Sequence, residues 1–313
     1  MNITLKKLGS SRVQATIVLD DARVQTLSDQ AINELGSDIK LKGFRPGKAP
    51  KELLREHITT EKIHEKVIQK EMPAIMQELV GTHSIKPIIR PRVELHALTP
   101  MTLIITLVEK PEAKVARKKI KLSNADLHVE KKELKGKNEE KESKEFNELK
   151  DKKGEKELKE TKEKTPEEKK QVEDNAILEL IAVHTTIDLA PELVSDEAEQ
   201  LIEEHARRMA QFGIKFEDWL AAQKKSIVDL IKEMQPDAEK RLKIRFGITA
   251  LLDDLAIDVS DSEMQEAIDA LLAPLKGVEH DELTLLYKQG ERAYEQFKFQ
   301  KRVQKLLEKL RST

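Results

Sequence analysis

The stretch that decides the fold runs from Arg12 to Ile39, RVQATIVLDDARVQTLSDQAINELGSDI. Val13, Ala15, Ile17 and Leu19 interleave with Arg12, Gln14 and Thr16, a period of two that predicts a strand with one buried face. At Asp20 the period changes. Val24, Leu27, Ala31, Leu35 and Ile39 recur at spacings of three and four, which predicts an amphipathic helix with Asp20 and Asp21 at its positive end. A half-buried strand that runs straight into a one-faced helix calls for a sheet with helices laid on one side.

Downstream, a Gly/Pro-rich loop leads to a short helical run from Lys51 and a longer one from Thr60 to Val80, with Gly81 at the C′ position. Pro73 predicts a kink or a break in the longer helix. Two extended runs follow, Ile85 to Leu95 and Met101 to Val108; Pro87 and Pro91 assign the first to a sheet edge or a bulge. Residues 1–112 therefore read as an α+β domain with an antiparallel sheet and helices, and residues 113–129 as a connecting segment.

From Glu130 to Glu173, 30 of 44 residues are charged, 15 of each sign. Such a stretch buries too little apolar surface to offset its conformational entropy, so residues 130–173 read as a charged, disordered linker, with Gly136, Gly154 and Pro166 interrupting any transient helix. Residues 174–313 read as an all-α domain with long, arm-like helices. Pro191 opens one helix and Gly213 closes it. SDSE, Ser260 to Glu263, is a capping box that opens another helix, running to Ala273. Gly290 marks the start of the last helical run or the end of the one before it. Met209, Phe212, Phe216 and Trp219 cluster around a turn; residue types of this kind are more often core than a binding surface.

Composition removes several function classes. The chain has 313 residues, 56 Lys+Arg against 58 Asp+Glu and no Cys, which excludes disulfides, thiolate catalysis and cysteine-ligated metals. A net charge of -2 leaves nucleic-acid or membrane contact to local patches. Aromatics make up 3%, too few for base-stacking platforms. Neither a signal-peptide core nor an 18-residue apolar run occurs, and the expectation is a cytoplasmic protein without membrane contact. The eight His residues are scattered, and no nucleotide fingerprint or nucleophile elbow is present, so no catalytic, cofactor or metal residues are assigned.

The most information-rich string is GFRPGKAP, Gly43 to Pro50. Gly43 and Gly47 permit tight turns and Pro46 and Pro50 stiffen the backbone, so the loop presents Phe44 beside Arg45 and Lys48. Six basic residues and one acidic residue lie between Lys40 and Arg55. An aromatic anchor ringed by cations suits a protein or ribonucleoprotein surface; the competing reading is a turn whose Phe is tucked into the core.

This loop resembles the ribosome-docking loop of trigger factor, the bacterial ribosome-associated chaperone, in which a β–β–helix precedes it. The resemblance extends to VEKPEAKV, Val108 to Val115, and to SNADLHV beyond it, and resumes at LIAVHTTIDLAPELVSDEAEQLI, Leu180 to Ile202. It implies an ATP-independent chaperone that binds the large ribosomal subunit near the exit tunnel and holds unfolded nascent chains, assisting folding and export, with homodimerisation off the ribosome left open. It also implies a ribosome-binding set Gly43, Phe44, Arg45, Pro46, Gly47 and Lys48; Pro46 stands where some members carry Lys. The family's FKBP-like prolyl isomerase domain has no counterpart, because the charged stretch cannot supply an aromatic pocket. The alternatives are a peptidyl-prolyl isomerase and an RNA-binding scaffold protein.

Overall fold

The computed structural model describes residues 1–37, 44, 50–120, 166–274 and 283–312. The chain falls into two compact units, one formed by Met1–Glu112 with Asp188–Lys232, the other by Ala113–Ile187 with Glu233–Thr313. Residues 188–232 thus group with the N-terminal sheet, although the sequence assigns them to a 174–313 domain.

In the first unit, strands β1 (Asn2–Gly9), β2 (Arg12–Val18), β3 (Arg92–Leu98) and β4 (Met101–Val108) form an antiparallel sheet in the order β1-β2-β4-β3. Val13 faces Leu107, Ala15 faces Ile105 and Ile17 faces Leu103 across β2 and β4. All six are buried, together with Leu27 of helix α1 (Asp21–Gly36) and Val67, Ile75 and Leu79 of helix α3 (Thr60–Gly81). Helix α2 (Lys51–His57) joins a smaller core in which Leu54 meets Ala31, Ile32, Ile58 and Ile63. The Asp20 side chain caps α1 by accepting from the Ala22 N–H at 3.0 Å. Helices α5 (Pro191–Gln211) and α6 (Phe216–Ala222) follow, with the beginning of α7 (Ile227–Asp254). Ser10 donates to Asp188 at 2.8 Å and Arg12 lies 3.5 Å from Glu192, so the base of this helical segment is held at the β1–β2 turn.

Three expectations in this unit need correction. Of the kink or break expected at Pro73, the break does not occur, since α3 is helical on both sides of it. Gly81 is the last helical residue, not C′; the left-handed position after α3 is Ser84, at φ 55°. The edge strand starts at Arg92, and Pro87 makes only an isolated bridge to Glu109, because prolines at 87 and 91 have no N–H to donate to a ladder.

The second unit is helical except for a short antiparallel pair, β5 (Ala113–Val115) with β6 (Thr185–Ile187). Helix α4 (Pro166–His184) begins inside the stretch read as linker. Pro166 starts this helix instead of interrupting one, since its fixed φ suits the first turn and Glu167 and Glu168 complement the N-terminal dipole. The rest of that stretch, residues 130–165, lies outside the described residues. Ile177 and Ile181 of α4, Ile248, Leu251 and Leu252 of α7, and Leu306 and Leu310 of α9 (Arg292–Arg311) share one core. Helix α8 (Asp261–Leu272) packs Met264, Ile268 and Leu272 against Tyr294. Its capping box is formed as expected: Ser260 accepts from the Glu263 N–H, and Glu263 accepts from the Ser260 N–H at 2.8 Å. Lys305 of α9 donates to Glu263 at 2.8 Å and to the Asp258 carbonyl at 3.1 Å, while Arg302 donates to the Ile257 carbonyl at 2.8 Å. Cations on α9 therefore hold the corner between α7 and α8.

Two glycine-type positions yield tests. At Gly247 a Cβ would fall 2.7 Å from Ile181 Cγ2 and still closer to Thr185 Oγ1, so α7 approaches α4 where only glycine fits. Gly247→Ala is expected to destabilise the protein by about 1–3 kcal/mol in denaturant melts, through overpacking. Ala256 adopts φ 46° as C′ of α7, where the Ile257 and Ala256 N–H groups reach the Leu252 and Asp253 carbonyls. Ala256→Gly is expected to stabilise by about 1 kcal/mol, because it removes the left-handed penalty of a side chain. The Lys305 ammonium first, then the Ser260 N–H and hydroxyl, hold the Glu263 carboxyl down from its ordinary 4.5 to about 2. A depressed acid pKa adds stability above 4.5 that is lost as pH falls toward 2. The unfolding midpoint of wild type should fall through that window more steeply than that of Glu263→Gln, compared by thermal melts at each pH.

Candidate functional site

Two surfaces of the first unit answer to the residues singled out by sequence. The first is the loop between α1 and α2. Its stems are fixed closely: a Cβ on Gly36 would lie 2.6 Å from Leu54 Cδ1, and Asp29 of α1 pairs with Lys51 at 3.2 Å and Arg55 at 3.0 Å. Glu34 of α1 pairs with Lys66 and Lys70 of α3, which tightens the same corner. The Lys70 ammonium, as hydrogen-bond donor, lowers the Glu34 carboxyl below its usual range.

Phe44 is 42% exposed. The reading of this Phe as a core residue is therefore excluded, and its ring is available to a partner. Gly43, Arg45, Pro46, Gly47 and Lys48 lie outside the described residues. The basic neighbourhood is smaller than the sequence count implies, because Lys51 and Arg55 are both committed to Asp29. That acid comes from a preceding helix and is not visible in a window from Lys40 to Arg55.

The second surface is the tip where α5, α6 and α7 are joined. Here the core reading fails for Phe212, while Met209, Phe216 and Trp219 are half-buried. Phe212 is 67% exposed, Ile227 54% and Val228 60%, and no residue of α6 is buried. The Phe216 and Trp219 rings stack with centroids 5.8 Å apart, each half-buried. Backbone hydrogen bonds shape the tip. Gly213, at φ 75°, is C′ of α5; its N–H reaches the Ala210 carbonyl at 3.0 Å and the Ile214 N–H reaches that of Met209 at 3.1 Å. Lys224, at φ 52°, repeats the motif after α6, with the Lys224 N–H to Ala221 at 3.1 Å and the Lys225 N–H to Leu220 at 3.4 Å. Both turns are Schellman motifs. Main-chain bonds shape the turns of the tip, where Phe212, Ile227 and Val228 are exposed. Ile227 and Val228 were missed by sequence; the signal was a seven-residue helix, too short to pack by itself, between two polar turns.

The second unit adds a mixed groove lined by Asp261, Gln265, Asp269, Tyr287, Lys288 and Tyr294. Among the described residues no group of three His, Asp or Glu side chains gathers to hold a metal ion. No helix among them is long and apolar enough to cross a membrane.

The comparisons agree with this architecture. A family model described as bacterial trigger factor protein matches residues 1–142, and one described as its C-terminus matches residues 145–310. The trigger factor of Natranaerobius thermophilus is 24% identical over 153 residues, 45% of this chain and 34% of that protein. The trigger factor of Moorella thermoacetica is 29% identical over 145 residues, 43% of this chain and 32% of that protein. The chain thus aligns with about a third of the length of these relatives. A solved chain from work on promiscuous substrate recognition in folding and assembly activities of the trigger factor chaperone has a TM-score of 0.58 at 16% identity. It covers 100% of this chain and 99% of its own, a likeness of fold. The chain belongs to the bacterial trigger factor family.

Proposed function

We propose that this protein is an ATP-independent, ribosome-associated chaperone that docks beside the exit tunnel and holds emerging unfolded chains. The observation that carries the reading is the apolar tip: Phe212, Ile227 and Val228 are exposed on the segment that also holds the stacked Phe216 and Trp219, on a chain of this family. A client side chain that is fully buried on such a surface gains about 1.5–3 kcal/mol, so one or two contacts bind at roughly millimolar strength and release quickly. The client leaves when its own folding buries the surfaces that bound, and no nucleotide is needed. Docking is assigned to Phe44, Arg45 and Lys48 within Gly43 to Lys48. Exposed Phe44, on a loop whose stems are clamped by Asp29, supports that assignment. Pro46 and Pro50 restrict the free chain and so lower the entropy lost on binding. Prolyl isomerisation is not part of the proposed activity. The two family matches follow each other with residues 143 and 144 between them, which supports that view.

Co-sedimentation with purified bacterial ribosomes tests the docking. Wild type is expected in the pellet and a folded Phe44→Ala, Arg45→Ala, Lys48→Ala variant in the supernatant; equal pelleting of both would remove these residues from the docking role. In a light-scattering assay of a denatured client, Phe212→Ser with Val228→Ser is expected to weaken suppression of aggregation several-fold. A proline-peptide assay is expected to show no acceleration over the uncatalysed rate.

A further inference from the structure

Helix α1, which leads into the loop that carries Phe44, places two carboxylates against its neighbours, and each meets a pair of cations four residues apart. Asp29 holds Lys51 and Arg55 of α2, with the Lys51 ammonium at 3.2 Å from one oxygen and the Arg55 guanidinium at 3.0 Å from the other. Glu34 holds Lys66 and Lys70 of α3; Lys66 lies at 3.9 Å, and Lys70 donates to it. Residues four apart share one face of a helix, so a single carboxylate reaches both members of its pair. The three helices are fixed against one another by apolar contacts: Leu54 of α2 and Ile63 of α3 share a core with Ala31 and Ile32 of α1.

None of the six side chains is buried; their exposures run from 24% for Lys70 to 50% for Glu34. Ion pairs this accessible add little to folding stability. They do decide which charges a polyanion meets. An open cation attracts any phosphate chain, whatever its sequence. A cation already in contact with a carboxylate attracts it less, because the phosphate must displace that carboxylate and then lie close to its negative charge. We infer that Asp29 and Glu34 are specificity-determining residues of the docking surface: by holding Lys51, Arg55, Lys66 and Lys70 they confine attraction for RNA phosphate to the loop and suppress binding to free RNA. The inference rests on the reading of Gly43 to Lys48 as the ribosome contact and adds how that surface discriminates among RNAs.

The test measures binding of the full-length protein to labelled poly(U), a single-stranded RNA, by fluorescence anisotropy across a salt series, and to purified ribosomes by co-sedimentation with and without excess poly(U). Asp29→Asn with Glu34→Gln is expected to bind poly(U) about tenfold more tightly than wild type at low salt. Its log–log salt dependence is expected to steepen by about 2, since each phosphate contact on a single strand contributes about 0.7. Excess poly(U) is expected to strip this variant from ribosomes and to leave wild type bound. Adding Lys51→Gln, Arg55→Gln, Lys66→Gln and Lys70→Gln to it is expected to restore the wild-type slope. Asp29→Glu with Glu34→Asp, which keeps both charges, is expected to behave as wild type. Glu52→Gln with Glu56→Gln removes the same net charge from exposed positions of α2 and is expected to leave the slope unchanged. If Asp29→Asn with Glu34→Gln keeps the wild-type slope, or if Glu52→Gln with Glu56→Gln steepens it as much, the inference is overturned and the docking reading stands. If wild type itself does not pellet with ribosomes, the docking reading fails and the inference with it.

Discussion

Strand β2 is hydrogen-bonded on both sides, to β1 and to β4, and its register determines what faces the helices. With Ile17 opposite Ile3 and Leu103, and Val13 opposite Leu107, one face of the sheet is apolar and buried under α1 and α3. A slip of one residue would turn Gln14 and Thr16 inward and expose the three apolar positions. The same strand begins at Arg12, which meets Glu192 at the first turn of α5, and the turn before it holds Asp188 through Ser10. The sheet therefore also anchors the helical segment that carries the apolar tip. Loss of β2 register would displace both the helices α1 and α2 that bound the loop and that segment.

The second unit reaches stability without a sheet of that size. Close helix approach at Gly247 and a continuous apolar stripe on α4, α7 and α9 provide the core. Lys305 and Arg302 then tie the α7–α8 corner by bonding main-chain carbonyls and Glu263 together. These are charge-assisted bonds to groups that the helix ends would otherwise leave unpaired.

At the tip the division of labour is different. Schellman turns at Gly213 and Lys224 specify the path of the chain by main-chain hydrogen bonds. Phe212, Ile227 and Val228 are exposed around them, while Leu230 is buried. These exposed apolar side chains support the proposed binding to chains of varied sequence.

Local patterns were legible in the residues. The period-two run at Val13 to Leu19, the helix bounded by Pro191 and Gly213, and the Ser260–Glu263 capping box each depend on side chains a few positions apart, and each forms where it was expected. Strand β1 entered only through the family resemblance, since NITLKKLG alternates weakly and becomes a strand by pairing with β2. The start of α4 at Pro166 and the β5–β6 pair were not legible, because both depend on partners far along the chain. For the site, the sequence alone determined the residue types at Phe44 and around Trp219. Tertiary structure decided which of these side chains are exposed, and that Lys51 and Arg55 share the Asp29 carboxylate. Exposure and charge pairing are properties of what else folds nearby, and a linear pattern contains the side chain but not its neighbours.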